Sequence, residues 1–325
     1  MSQKKIIVRV SGFVLLATFL LALFFFQPLT APVHRGFPAE NNFQIAEQSI
    51  LETIATDAGI VSESCNSILM SHGNKTENAI IFLHGYTTCP GQFKELGELL
   101  YKEGYNVYIP RAPYHGLKDR LTDDIALLTM QEYTDYAERS VQVGKGLGQK
   151  ITVAGLSGGG ILTSWIALYD QDVKKAVIIA PAYGLAAFPQ YVTLPAFHLY
   201  SLLPNSFRWW DETKKDADTI IATYPRYSTR SLAQVIGLGQ ITGQRLKTDT
   251  PAIKNIVMVK NMYDKSVSLP FIDEVVASLQ KKTTVKLSEY VFPAEKKLEH
   301  DFIIPEFNAE SKKESYEVLK TLIIQ

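Results

Sequence analysis

The chain has 325 residues, enough for one large domain or two smaller ones. Apolar residues make up 46% and charged residues 20%, which argues against a disordered chain and leaves material for a sizeable core. Lys and Arg balance Asp and Glu at 33 each, with no basic stripe or arginine-rich tract, so no nucleic-acid partner is expected.

Lys4, Lys5 and Arg9 precede an uncharged run from Val10 to Phe26. Residues 1–26 therefore read as a signal-anchor or a signal peptide. Cleavage needs small residues at two fixed positions, and Leu29-Thr30-Ala31 offers a leucine at one of them, with Pro32 following. An uncleaved anchor is the expectation, and secretion after cleavage is the alternative. Basic residues on the N-terminal side put the rest of the chain on the exported side of the cell membrane. Residues 27–41 carry Pro28, Pro32 and Pro38 and read as an extended tether.

The remainder, 42–325, reads as one domain. Phe43, Ala46, Ile50 and Ile54 recur at helical spacing. Asn66 to Met70 is a weak strand candidate. Ala79 to Leu83 is a buried strand running into His84-Gly85-Tyr86-Thr87. Phe93–Glu103 is helical, Tyr105–Ile109 a strand, and Thr122–Leu147 mostly helical. Ile151 to Leu156 enters a glycine corner, Gly155-Leu156-Ser157-Gly158-Gly159, and leaves as an apolar helix. Further strands are expected at Ala176–Ala180, Ile253–Lys260 and Val285–Phe292, with helices at Leu269–Leu279 and Ser311–Ile324. This alternation predicts an α/β fold, a mostly parallel central sheet with helices on both faces. About 182–250 breaks the rhythm. Its length and its aromatic residues predict an inserted, mainly helical cap over the catalytic edge.

G-x-S-x-G between a strand and a helix is the context of a nucleophile elbow, which makes Ser157 a candidate nucleophile. A serine hydroxyl needs an adjacent base, itself held by a third group. In open α/β sheets such partners follow the carboxyl ends of later strands. Asp264 follows the Ile253–Lys260 strand and His300 follows the Val285–Phe292 strand. Asp264 could also be a turn residue or helix cap, and His300 a loop histidine. Asp273 is the fallback acid, within a helical pattern. The oxyanion needs two backbone donors. Gly158, after the serine, supplies one and Tyr86, after His84-Gly85, the other. His84 reads as a structural hydrogen-bonding residue. His115 is a candidate for the substrate pocket, as are Phe188, Phe197, Trp209 and Trp210 of the cap. His198 is expected to face solvent. No histidine pair has metal-ligand spacing, so neither a metal nor another cofactor is expected.

Phe82-Leu83-His84-Gly85-Tyr86-Thr87, the Gly155–Gly159 elbow, Asp264 and His300 together resemble the α/β-hydrolase superfamily. Within it the chain is most similar to the branch of bacterial carboxylesterases, monoglyceride lipases and serine-aminopeptidase-like hydrolases. The resemblance covers about 78–325. It implies a Ser157–Asp264–His300 triad with Tyr86 and Gly158 as oxyanion donors. Many relatives carry alanine or a bulkier residue where this chain has Gly158, which implies extra room beside the nucleophile. In such hydrolases an antiparallel second strand would put Cys65 at the same edge as Cys89. For an exported chain, these two cysteines are then a candidate disulfide, with a pair of free thiols as the alternative.

The expectation is an exported, membrane-tethered serine hydrolase acting on small or lipid-like carboxylic esters. An amidase or aminopeptidase on the same triad is the second reading. It needs a carboxylate to hold a free amino terminus, and Asp211, Glu212, Asp216 and Asp218 are too clustered to single one out. A hydrolase-like binding module without catalysis is the third, and an intact triad argues against it.

Overall fold

The computed structural model describes residues 18, 19, 21, 23–212, 223–304 and 309–325. Most of the expected membrane anchor therefore lies outside the described residues. Among the described residues, no helix is long and apolar enough to cross a membrane.

Seven strands form one sheet in the order β1-β3-β2-β4-β5-β8-β9. They are β1 (Ile68–Met70), β2 (Thr76–Leu83), β3 (Asn106–Ile109), β4 (Gly148–Leu156), β5 (Lys175–Ile179), β8 (Asn255–Asn261) and β9 (Lys286–Phe292). Only β1 runs antiparallel, pairing Ile68 with Ile109 and Met70 with Val107. The central strands are apolar without alternation because both faces are covered. Period two still sorts their side chains. Ile81, Val153, Ile178 and Met258 pack on one face, beneath α1 (Phe43–Asp57), α3 (Met130–Gly144), α4 (Gly158–Tyr169), α6 (Thr229–Thr248) and α7 (Leu269–Gln280). Ile80, Phe82, Val177 and Val259 face the opposite way, against α2 (Lys94–Lys102) and α8 (Ala309–Ile324).

The helix expected over 122–147 starts later, at Met130. A capping box fixes that start: Thr129 accepts from the Glu132 N–H while the Glu132 carboxylate reaches back to the Thr129 N–H. Upstream, only Asp124–Leu127 makes a short 3-10 turn.

Between β5 and β8 lie α5 (Thr193–Leu202), an antiparallel ribbon of β6 (Phe207–Trp209) and β7 (Arg226–Ser228), and α6. The ribbon was not expected from the sequence. Three-residue strands leave too few positions for an alternation to show. The segment from Pro28 to Asn41 has no helix or strand, yet it is held along the body. The Arg35 and Gly36 N–H groups donate to the buried Glu138 carboxylate at 3.0 and 3.2 Å.

Candidate active site

The corner between β4 and α4 sets the position of Ser157. Its φ of 58° is left-handed, a costly conformation for a residue with a Cβ, and it lifts the side chain out of the turn. The corner closes only because its neighbours lack side chains. A Cβ on Gly155 would collide with the Gly159 carbonyl, and one on Gly159 with the Leu83 carbonyl of β2. The Ser157 N–H donates to the Ile179 carbonyl at 3.0 Å, tying the corner to the end of β5.

The loops after β8 and β9 bring the other two residues together. His300 Nδ1–H donates to Asp264 Oδ2 at 2.7 Å, and the Asp264 carboxylate is fully buried. Its other oxygen accepts the Ser266 and Val267 N–H groups at 2.8 and 3.2 Å. Burial alone would raise the Asp264 pKa. The facing imidazole and these three hydrogen bonds win, and it lies below the ordinary carboxylate value. For His300, burial opposes the charged form, but the Asp264 charge, its hydrogen bond and the Asp301 charge outweigh it. The imidazole is held above 6.5. Asn261 steadies the loop, donating from Nδ2 to the Leu298 carbonyl at 2.9 Å. The fallback acid is elsewhere: Asp273 pairs with Lys260 at 2.6 Å.

Ser157, His300 and Tyr86 line one cavity of about 550 Å³. The loop after β2 forms one wall. His84 is buried and structural, accepting the Ala112 N–H at Nε2 (3.0 Å) and lying 2.9 Å through Nδ1 from the Gly85 carbonyl. Burial first, and then the neighbouring His115, push its pKa well below 6.5, so it stays neutral. The Tyr86 backbone nitrogen would lie 2.9 Å from a Cβ on Gly158. The two residues that the sequence singles out as donors are thus close neighbours beside Ser157. The arrangement places a serine, an imidazole paired to a buried carboxylate, and the loop of Tyr86 around one space. That is the set of groups acyl transfer requires.

A model of the Alpha/beta hydrolase family matches residues 80–295, about two thirds of the sequence. The chain belongs to the alpha/beta hydrolase family. Over 167 residues it is 31% identical to the thermostable monoacylglycerol lipase of Bacillus sp. (strain H-257), covering 51% of this chain and 64% of that protein. The match thus spans just under two thirds of that relative's length. Among solved structures, the chain is similar to one from work on LipS and LipT, two metagenome-derived lipolytic enzymes. The TM-score is 0.62 and the identity 15%, covering 82% of this chain and 100% of that one. It is also similar to the monoacylglycerol lipase of Paleococcus ferrophilus, with a TM-score of 0.57 and 16% identity over 79% and 98%. At these identities the structural likeness is one of fold.

Several expected pocket residues in this alpha/beta hydrolase sit elsewhere. His115 is fully buried and does not line the cavity. Its ring packs edge-on to Tyr86 with centroids 5.9 Å apart, and burial lowers its pKa to about 4. Trp210 does line the cavity, donating from Nε1 to Thr87 Oγ1 at 2.9 Å, whereas its neighbour Trp209 lines neither cavity described here. Phe188 and Phe197 line a second cavity of about 280 Å³. That cavity shares Leu185, Leu232 and Ile236 with the first. Gly158 leaves no extra room, because a Cβ there would meet Tyr133 Oη at 2.8 Å as well as the Tyr86 nitrogen. His198 is buried, not solvent-facing.

Sequence reading missed Gln92 and Tyr133. Gln92 is fully buried; its Oε1 accepts the Gly85 N–H at 2.9 Å and its Nε2 donates to Asp301 Oδ1 at 3.1 Å. It links the loop of Tyr86 to the loop of His300. Cys65 and Cys89 form a disulfide with Cα atoms 5.1 Å apart, three residues from Gln92.

Proposed function

We propose that this protein is a serine hydrolase cleaving carboxylic esters through an acyl-enzyme. Ser157 attacks the ester carbonyl while His300 takes its proton. The oxyanion is held by the Tyr86 and Gly158 N–H groups. His300 then protonates the leaving alcohol, and a water activated by the same imidazole releases the acid. Asp264 keeps the proton on Nδ1, so that Nε2 is free to act as base.

The observation that carries this reading is the 2.7 Å bond from His300 to the buried Asp264 carboxylate, at the cavity that Ser157 also lines. The relatives named as lipases support an ester as substrate, and so does the apolar second cavity beside the first. The aminopeptidase reading draws less support. Asp211 lines the cavity, but so do Arg120 and Lys265, and Asp216 and Asp218 lie outside the described residues. We also propose that residues 1–26 hold the enzyme at the cell membrane with its catalytic domain on the exported side. The uncharged run after Arg9 motivates this.

Labelling with a fluorophosphonate, followed by turnover of p-nitrophenyl esters and aminoacyl anilides, tests the assignment. Ser157→Ala should lose the label and reduce ester kcat by roughly 10⁴–10⁶-fold while remaining folded. Preference for the anilides would overturn the ester reading, and retained labelling in the variant would overturn the nucleophile.

A further inference from the structure

Three consecutive residues of the loop after β2 are each bound to the region inserted between β5 and β8. Tyr86 Oη lies 2.7 Å from Ser231 Oγ and donates to the Ser228 carbonyl at 3.4 Å. The Thr87 carbonyl accepts the Tyr224 N–H at 2.7 Å, and Thr87 Oγ1 accepts Trp210 Nε1–H at 2.9 Å. Thr88 makes an antiparallel bridge with Thr223. Thr87 needs such support. Its φ of 63° is left-handed, a costly conformation for a β-branched residue, and one that persists only where surrounding contacts dictate it. Thr87 directly follows Tyr86, so the same contacts fix the stretch of backbone that carries the Tyr86 N–H.

The side-chain tie reaches furthest. Tyr86, Ser228 and Ser231 are buried, the two serines completely, so solvent does not compete for these bonds. Burial also raises the Tyr86 pKa above its ordinary value and keeps the phenol neutral. Ser228 is the N-cap of α6: its Oγ accepts the Ser231 N–H at 3.2 Å and donates to Asn205 Oδ1 at 2.7 Å. Tyr86 therefore grips the fixed start of a 20-residue helix. Directly after Ser231, Leu232 lines both the cavity of Ser157 and the second cavity, and Ile236 does the same one turn later. One helix thus meets the space for an acyl chain along its inner face and holds Tyr86 at its N-terminal end.

We propose that the Tyr86 hydroxyl is a positioning group: through Ser231 and Ser228 it lets an acyl chain packed on α6 set the aim of the Tyr86 N–H at the reacting carbonyl. The proposal rests on the ester-hydrolase reading and adds how the length of the acyl chain enters the chemical step. Contacts to the non-reacting part of a substrate raise kcat only when they improve the fit at the transition state. A chain bearing on Leu232 and Ile236 does so if α6 passes its position on to the donor. The acyl group stays on the enzyme through acylation and deacylation, so both steps respond. In the wild type kcat should therefore rise with acyl length, over and above any fall in KM.

The test measures kcat and KM of the full chain on p-nitrophenyl acetate, butyrate, octanoate and decanoate. In Tyr86→Phe the decanoate-to-acetate ratio of kcat should fall about three- to tenfold, while the corresponding ratio of KM stays as in the wild type. Ser231→Ala, which leaves Tyr86 itself intact, should give the same fall. The double variant should lose no more than either single one, since each change deletes the same bond. A merely structural tie would lower kcat equally at every chain length, and that result overturns the proposal. So does a change confined to KM, additive losses in the double variant, or a wild-type kcat indifferent to chain length. Should Tyr86→Phe fail to fold, the ratio in Ser231→Ala decides alone. A wild type that hydrolyses none of the four esters overturns the hydrolase reading together with the proposal, whereas turnover with unchanged ratios in the variants overturns the proposal only.

Discussion

Asp301 and Gly158 are the two residues whose consequences reach furthest beyond their own contacts. Asp301 follows the proposed base; burial raises its pKa above the ordinary carboxylate value, and the Gln92 hydrogen bond partly offsets this. Its charge adds to that of Asp264 in holding His300 above 6.5. A general base must be neutral, so kcat/KM should rise with pH through a midpoint above 6.5. Asp301→Asn removes one anion and leaves an oxygen for Gln92 Nε2–H to bond. The midpoint should then move to lower pH, and an unmoved midpoint would show that Asp301 does not act on the base. Gly158→Ala puts a methyl group against Tyr133 Oη and the Tyr86 nitrogen. We expect kcat to fall roughly 10–100-fold with KM little changed, since the two donors are forced apart. Adding Tyr133→Phe should restore part of the loss by removing the 2.8 Å contact. No loss in Gly158→Ala would mean the corner has slack.

The element that holds the loop of Tyr86 is the short 3-10 turn Pro90–Phe93, which starts just after Cys89 and contains Gln92. Three restraints converge on it and its approach. The disulfide fixes Cys89 to Cys65, Gln92 grips Gly85, and the Thr87 carbonyl accepts the Tyr224 N–H at 2.7 Å. Closing the loop between the cysteines stabilises the fold by about 3.5 kcal/mol in the chain-entropy picture. Never-reduced protein should therefore titrate no thiols when unfolded. Reduction should lower Tm and kcat together, because the freed turn carries Gln92. A fall in Tm with kcat intact would separate the bridge from the site.

Across the whole molecule, the N-terminal segment is part of the fold, and Glu138 is what receives it. This buried carboxylate on α3 accepts the Arg35 and Gly36 N–H groups, pairs with His34 Nδ1 at 3.0 Å, and accepts Trp165 Nε1–H at 2.8 Å. Trp165 belongs to α4, the helix that begins at the Ser157 corner. Glu138→Ala should cost about 2–4 kcal/mol, since it strands the fully buried indole N–H and releases the segment. Urea unfolding measures this, and early proteolysis within 28–41 should accompany it. A change below about 0.5 kcal/mol, the scale of ordinary surface substitutions, would mean the segment is held by other contacts.

What the sequence determined by itself is what local pattern encodes. Uninterrupted apolar runs such as Ala79–Leu83 and Ala176–Ile179 announce strands covered on both faces. The glycines around Ser157 announce a corner that no Cβ permits. Strand-to-loop order places Asp264 and His300 at the edge where Ser157 sits, because parallel strands share a carboxyl end. Contacts between distant residues leave no such trace. Gln92 and Asp301 lie 209 positions apart and carry no motif, and only the packed loops make them partners. His198 reads as a surface residue until Gln27, 171 positions away, arrives beside it. Gly158 reads as spare room until Tyr133 of another helix fills it. Periodicity and turn chemistry act over a few residues, whereas the walls of a cavity are contributed by segments that meet only when the chain is packed.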